Sequence, residues 1–201
     1  MKIKFEDDLS YQLDAIGSIT DIFSGQESNK TMFTVEKSTG AQMVLGTVEN
    51  ELGIGNGLML FPEEILKNLN SIQVKNGLPQ TKKLKKDDYN FSVEMETGTG
   101  KTYVYLRTIM ELNKQYNFTK FIIVVPSIAI KEGVYKTLEI TKDHFKGLYD
   151  NVPYDYFIYD SKKIDMIRNF AVNDTIQIMV INIDSFNKDS NVIKQERDID
   201  Q

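Results

Sequence analysis

The residues of this sequence best suited to chemistry are Met95-Glu96-Thr97-Gly98-Thr99-Gly100-Lys101-Thr102. Glycines at 98 and 100 let a loop turn several backbone N–H groups onto one anion, and a helix opening at Thr102 adds the positive end of its dipole. Lys101 supplies a mobile cation for β- and γ-phosphates, and the Thr102 hydroxyl can ligand Mg²⁺. Read this way, Thr97, Gly98, Thr99, Gly100 and Lys101 hold the phosphates of a nucleoside triphosphate, with ATP and Mg²⁺ as the expected ligands. The first glycine common in such loops is absent, because Met95 stands there. The alternative is a coincidental Gly-Lys-Thr turn. Against it stands the context, a strand before the loop and a helix after it.

That context comes from apolar spacing. Phe91–Met95 is expected as a short strand. Thr102–Tyr116 is expected as a helix with Tyr105, Ile109, Leu112 and Tyr116 on one face. Lys120–Val125 is nearly all apolar, as a strand covered on both faces would be. Pro126 ends it, and Ser127 can cap a helix that buries Ile130, Val134 and Leu138. Tyr154–Tyr159 (strand), Ser161–Phe170 (helix) and Thr175–Ile183 (strand) follow. Strand alternating with helix means an α/β fold with a mostly parallel sheet.

Upstream the pattern differs. Leu9, Leu13, Ile16, Thr20 and Phe23 recur at helical spacing, with Gly25 placed to end the helix. Residues 31–48 hold two β-prone runs around Ser38-Thr39-Gly40, which predicts a β-hairpin. Gly53-Ile54-Gly55-Asn56-Gly57 reads as a turn-rich joint. Pro62, Glu63 and Glu64 open another helix, with Ile65, Leu66, Leu69 and Ile72 on its buried side. Lys82, Lys83, Lys85 and Lys86 make a charged linker, and 189–201 is a polar tail. His144 is expected at the surface near a helix end, and the tyrosines between 149 and 159 as sheet packing.

Composition narrows the chemistry. The 201 residues include no cysteine, which excludes a disulfide scaffold, a thiolate metal site and a cysteine nucleophile. One histidine makes a Ser-His-Asp triad or a His-rich metal site hard to assemble. A net charge of −5 argues against a broadly basic nucleic-acid surface but leaves room for a local groove. No apolar run approaches the roughly 18 residues of a membrane span, and the start lacks a signal peptide's apolar stretch. The expected location is the cytoplasm, away from membranes.

The wording of the loop, Met95 through Tyr103, resembles that of the restriction (Res) subunits of type III restriction-modification enzymes, in helicase superfamily two. Three further stretches are similar to motifs of that family. Tyr11-Gln12-Leu13-Asp14-Ala15-Ile16 resembles the element beside the adenine. Val125-Pro126-Ser127, continuing to Lys131, resembles a motif facing the DNA backbone. Ile181-Asn182-Ile183-Asp184-Ser185-Phe186 resembles the strand-end motif that follows it. The resemblance implies a RecA-like P-loop NTPase domain, the first of two in an ATP-dependent DNA-translocating restriction endonuclease. It also implies a methyltransferase (Mod) partner subunit and a separate nuclease domain.

By that resemblance Gln12 and Tyr11 serve the adenine, and Pro126, Ser127, Lys131, Asp184 and Ser185 serve DNA. Each also has a plainer reading. Gln12 can be a solvated polar residue, although a carboxamide offers both donor and acceptor to adenine's edge. Tyr11 and Phe5 can be core packing, Pro126-Ser127 a strand stop and helix cap, and Lys131 a solvated lysine. Asp184 follows an apolar run, yet Ser185 stands where a hydrolytic motor carries Glu. An Asp-Glu strand is therefore expected beyond Gln201, and 1–201 alone is expected to be inactive as a nuclease and a feeble ATPase.

The expected organisation is an adenine-side lead and helix over 1–27, an inserted hairpin and helix over 28–87, and the motor core over 88–201. The competing readings are a P-loop phosphotransferase and a nucleotide-binding module without chemistry. Arginines at 107, 168 and 197 alone are few for a phosphotransferase lid.

Overall fold

A computed structural model of the chain describes residues 5–36, 50–84 and 89–187. The Ser38–Gly40 turn, Lys85, Lys86, the lead before Phe5 and the tail from 189 lie outside them. The elements in chain order are α1 (Ser10–Thr20), a 3₁₀ turn (Asp21–Phe23), β1 (Lys30–Glu36), β2 (Asn50–Asn56), α2 (Pro62–Lys75) and α3 (Lys101–Tyr116). They continue with β3 (Lys120–Val125), α4 (Ile128–Leu148), β4 (Tyr154–Ile158), α5 (Ile164–Val172), β5 (Ile176–Asn182) and α6 (Ile183–Asn187). The class is α/β, with a three-stranded parallel sheet ordered β3-β5-β4.

The central strand explains its own composition. β5 pairs with β3 on one side and β4 on the other, and all seven of its residues are buried. A strand enclosed on both edges and both faces can carry an unbroken apolar run such as Ile178-Met179-Val180-Ile181. α3 and α4 cover one face: Leu106, Ile109, Met110, Val134, Leu138 and Phe145 pack with Ile176, Ile178 and Val180. Phe157 and Met179 meet Ile167 and Phe170 of α5 on the other.

β3 departs from expectation. It is an edge strand: Phe121, Ile123 and Val125 join the core, whereas Ile122 and Val124 are 46% and 42% exposed. Side chains alternate across a strand, and helices cover only one side of this one. Phe91–Met95 also differs, since it joins no ladder. Side chains hold it instead, Phe91 against Ile22, Leu60 and Ile65, and Met95 against Ala15, Ile16 and Val104.

The hairpin exists with a different second strand. β1 pairs antiparallel with Asn50–Asn56, so Gly53 and Gly55 lie inside a strand, opposite Phe33 and Thr31, and form no joint. The Phe33 ring lies across them: a Cβ on Gly53 would stand 2.4 Å from it. The glycines that looked like turn residues are the floor under an aromatic ring.

Long-range polar contacts dock this hairpin. The Asn56 side chain accepts from the N–H groups of Thr119 (2.8 Å) and Lys120 (3.0 Å) and donates to the Lys120 carbonyl (2.8 Å). Arg168 of α5 grips the Glu51 carboxylate with two nitrogens.

Two helix faces also turned out differently. On α1 the buried residues are Gln12, Ala15, Ile16 and Thr20, while Leu13 is exposed. On α4 Val134 and Leu138 are buried but Ile130, in the first turn, is exposed. His144 is half-buried within α4. It packs beside Phe5, Tyr103 and Phe145 and shares a 2.8 Å hydrogen bond with the Tyr103 hydroxyl. Tyr149, Tyr154 and Tyr159 are buried, in keeping with packing. No helix of the described residues is long and apolar enough to cross a membrane.

Candidate functional site

The loop between Met95 and α3 has the backbone its glycines foretold. Gly98 (φ 84°) and Gly100 (φ 83°) both take the left-handed conformation, which costs a residue with a Cβ. Gly100 is the N-cap of α3, and no side chain caps that helix, so its first-turn N–H groups keep no side-chain partner. The Thr99 hydroxyl donates to the Glu96 carbonyl (2.7 Å) and closes the loop on itself. The Lys101 ammonium donates to the Met95 and Glu96 carbonyls, at 2.5 and 2.7 Å. Thr97, Gly98, Gly100 and Lys101 are exposed, while Thr99 and Thr102 are half-buried.

α1 supplies the wall behind the loop. Gln12 is only 6% exposed, and its Nε2 donates to the Thr99 carbonyl at 3.0 Å. A Cβ on Gly100 would stand 2.8 Å from the same nitrogen, so a larger residue there would have to push the Gln12 carboxamide aside as well as adopt a left-handed backbone. Gln12 Oε1 is buried with no hydrogen-bond partner. Gln12 is thus not a solvated surface residue. Tyr11, its neighbour, is exposed and lines a cavity of about 960 Å³ that also touches Met95, Glu96 and Thr99.

That cavity is also lined by Ile72 and Gln73 of α2 and by Asn76 just after it. Nothing in the sequence signalled that a helix more than twenty residues upstream of the loop would stand beside it. A second hollow, about 620 Å³ along α2 from Glu63 to Val74, includes no loop residue.

The remaining residues singled out in the sequence gather elsewhere. Val125 and Asn182 are register partners, so Pro126-Ser127 and Ile183-Asp184 leave the same carboxyl edge of the sheet side by side. Ser127 Oγ accepts from the Ile130 N–H at 3.3 Å and caps α4, as its type predicts. Asp184 is exposed; Ser185 and Lys131 are half-buried. In open parallel sheets this edge is where ligands collect. No hydrogen bond between described residues links this edge to the loop.

A polar cluster around the buried Arg107 and Tyr149, which sequence reasoning missed, lies apart from both. Arg107 donates to the Asp7 carbonyl and to the Tyr149 hydroxyl, and Tyr149 donates to Glu111 (2.8 Å). Burial raises the Tyr149 and Tyr103 hydroxyls above the usual tyrosine range and lowers the His144 imidazole. These residues are polar on mostly apolar helix faces, but their partners are far apart in sequence and gave no local signal.

Comparison with known proteins gives the family of the chain. Residues 63–201 match the family model described as the type III restriction enzyme, res subunit. The chain belongs to this family. It is 30% identical over 161 residues to the EcoPI Res subunit of Escherichia phage P1, covering 79% of this chain and 15% of that protein. It is 37% identical over 112 residues to the EcoP15I Res subunit of Escherichia coli, covering 52% of this chain and 11% of that protein. Against the StyLTI Res subunit of Salmonella typhimurium it is 47% identical over 75 residues, covering 36% of this chain and 8% of that protein. The chain thus spans a small part of the length of the Res subunits it matches.

Proposed function

We propose that this Res-family chain carries the ATP-binding face of a DNA-translocating motor domain, with the loop from Thr97 to Thr102 as its phosphate site. The observation that carries the reading is the pairing of two left-handed glycines with an uncapped helix start and an adjacent lysine. A triphosphate fits this donor set. Gly98, Thr99 and Gly100 offer backbone N–H groups. Lys101 exchanges two carbonyl oxygens of its own loop for phosphate oxygens, and Thr102 presents a hydroxyl at the first turn of α3.

Mg²⁺, when bound, supplies charge neutralisation at the phosphates, and Thr102 is the residue here that would hold it. Tyr11, exposed and lining the cavity beside the loop, would lie against the base. Pro126, Ser127, Lys131, Asp184 and Ser185 form the edge we assign to the DNA backbone, where the start of α4 offers N–H groups to a phosphate.

In the whole protein this cycle would drive movement along DNA, or a change of state on it, with cleavage by a separate nuclease domain. A methyltransferase (Mod) subunit would read the recognition sequence, and the assembly would work in the cytoplasm. The 201 residues alone should bind ATP and DNA weakly and hydrolyse ATP feebly, without nuclease activity. Equilibrium titration of Mg-ATP and of duplex DNA against wild type and Lys101→Ala tests this. The expected outcome is nucleotide binding lost on the order of a hundredfold in the variant, with DNA binding retained. Binding of ATP unaffected by the substitution would remove the phosphate site. Nucleotide binding with no response to DNA would favour a phosphotransferase or regulatory module.

A further inference from the structure

The phosphate-site reading leaves open how the loop is kept in a shape that can receive an anion, and the surroundings of Gln12 bear on this. Its carboxamide is enclosed between α1 and the loop, with one Nε2 proton already given to the Thr99 carbonyl at 3.0 Å. Ala15 and Ile16 of α1 pack on Val104 of α3 and on Met95 at the loop's other end, so Gln12 stands on a rigid support.

A trans peptide holds its C=O and the following N–H in one plane, pointing in opposite directions, and no described peptide is cis. Holding the Thr99 carbonyl toward α1 therefore turns the Gly100 N–H away from α1. Gly100 occupies the N-cap position of α3, whose first turn has no side-chain cap, beside that turn's N–H groups. A glycine peptide left unheld can rotate cheaply, and rotation of this one would replace a donor facing the anion with a carbonyl oxygen.

We propose that Gln12 is a positioning residue for the phosphate loop: by holding the Thr99 carbonyl it aims the Gly100 amide at the bound phosphate, whatever the base. The proposal rests on the phosphate-site reading above and deepens it. It differs from a base-reading role for Gln12 in its ligand dependence. An adenine reader affects adenine nucleotides alone, whereas a residue that sets the loop affects every polyphosphate.

The test compares wild type with Gln12→Met, which keeps the buried volume and removes the donor, by calorimetric titration with Mg-ATP, Mg-GTP and inorganic tripolyphosphate. The expected result is a similar loss for all three, on the order of tenfold, as for one charge-assisted hydrogen bond. A loss confined to ATP makes Gln12 a base reader and overturns the proposal, as does no loss with any ligand. In wild type, tripolyphosphate should shift the Gly100 amide resonance in a ¹⁵N-correlated spectrum. In Gln12→Met that shift should shrink while the Thr102 amide still responds. A Gly100 amide unmoved by tripolyphosphate in wild type also overturns the proposal, even if the variant fails to fold. Wild type that binds none of the three ligands defeats the phosphate-site reading itself, and this proposal falls with it.

Discussion

The glycine loop from Met95 to Thr102 and the β1–β2 hairpin are both attached to the same parallel sheet and its helices, but by opposite means. At the loop, local backbone conformation does most of the work: Gly98 and Gly100 are left-handed, and Thr99 and Lys101 bond to carbonyls within six residues. Gln12 adds one long-range hydrogen bond. The hairpin is tied to the sheet and its helices by polar contacts of long sequence range. It is held by Asn56, 63 residues from its partner Thr119, and by Glu51, 117 residues from Arg168. A locally specified loop can be recognised as a motif, whereas a docking contact depends on the whole fold being in place.

The two regions should therefore respond differently to damage. The largest effect is expected from Lys101→Ala, which should remove nucleotide binding while leaving the melting temperature within about 1–2 °C, because an exposed side chain contributes little to stability. A large drop in melting temperature would mean that the loop, too, is a structural joint.

Next comes Gly53→Val. Its branched side chain must displace the Phe33 ring, which lies 2.4 Å from the position of a new Cβ. Overpacking of this kind costs roughly 1–3 kcal/mol, so denaturant unfolding should shift while tripolyphosphate binding stays at the wild-type value. Unchanged unfolding would show that the ring simply swings into solvent.

Arg168→Ala should cost less, about 1 kcal/mol or below, because the Arg168–Glu51 pair is only partly shielded from water. A double-mutant cycle with Glu51→Gln isolates that pair, and a coupling near zero would leave Asn56 as the main tether.

The smallest effect concerns pH. Burial lowers the His144 pKa below its ordinary 6.5, with the Arg107 charge in the same direction and Asp7 opposing. A base depressed in the folded state contributes stability above its unfolded pKa, and that contribution is lost as pH falls through the folded value. Stability measured from pH 7.5 down to 5 should therefore decline slightly, and His144→Gln should flatten the decline. An unchanged pH profile in His144→Gln would assign the decline to other groups.

How far the sequence could be read follows the same division. α3, α4 and β5 were legible because their apolar spacing and caps are local: Ser127 caps α4 as its type predicts, and β5 is as buried as its run of Ile, Met and Val implies. The loop glycines were legible because positive φ is a property of single residues. The outer face of β3 was not, since Ile122 and Val124 look like core and only the sheet order makes β3 an edge. Nor was the identity of β2. Gly-x-Gly-x-Gly resembles a joint until Phe33 of the facing strand is seen to cover Gly53.

By itself, then, the chain's sequence determined the α/β alternation, the helix starts, the left-handed glycines of the Met95–Thr102 loop and the family it belongs to, because spacing, caps and glycine conformation act over a few residues. Only the tertiary structure decided that α1 would bury Gln12 rather than Leu13, and that α2 would wall the cavity beside the loop. It alone decided that His144 would sit half-buried against Tyr103. Each of these depends on which surface packs against which, and packing between segments tens of residues apart leaves no periodic trace in either one.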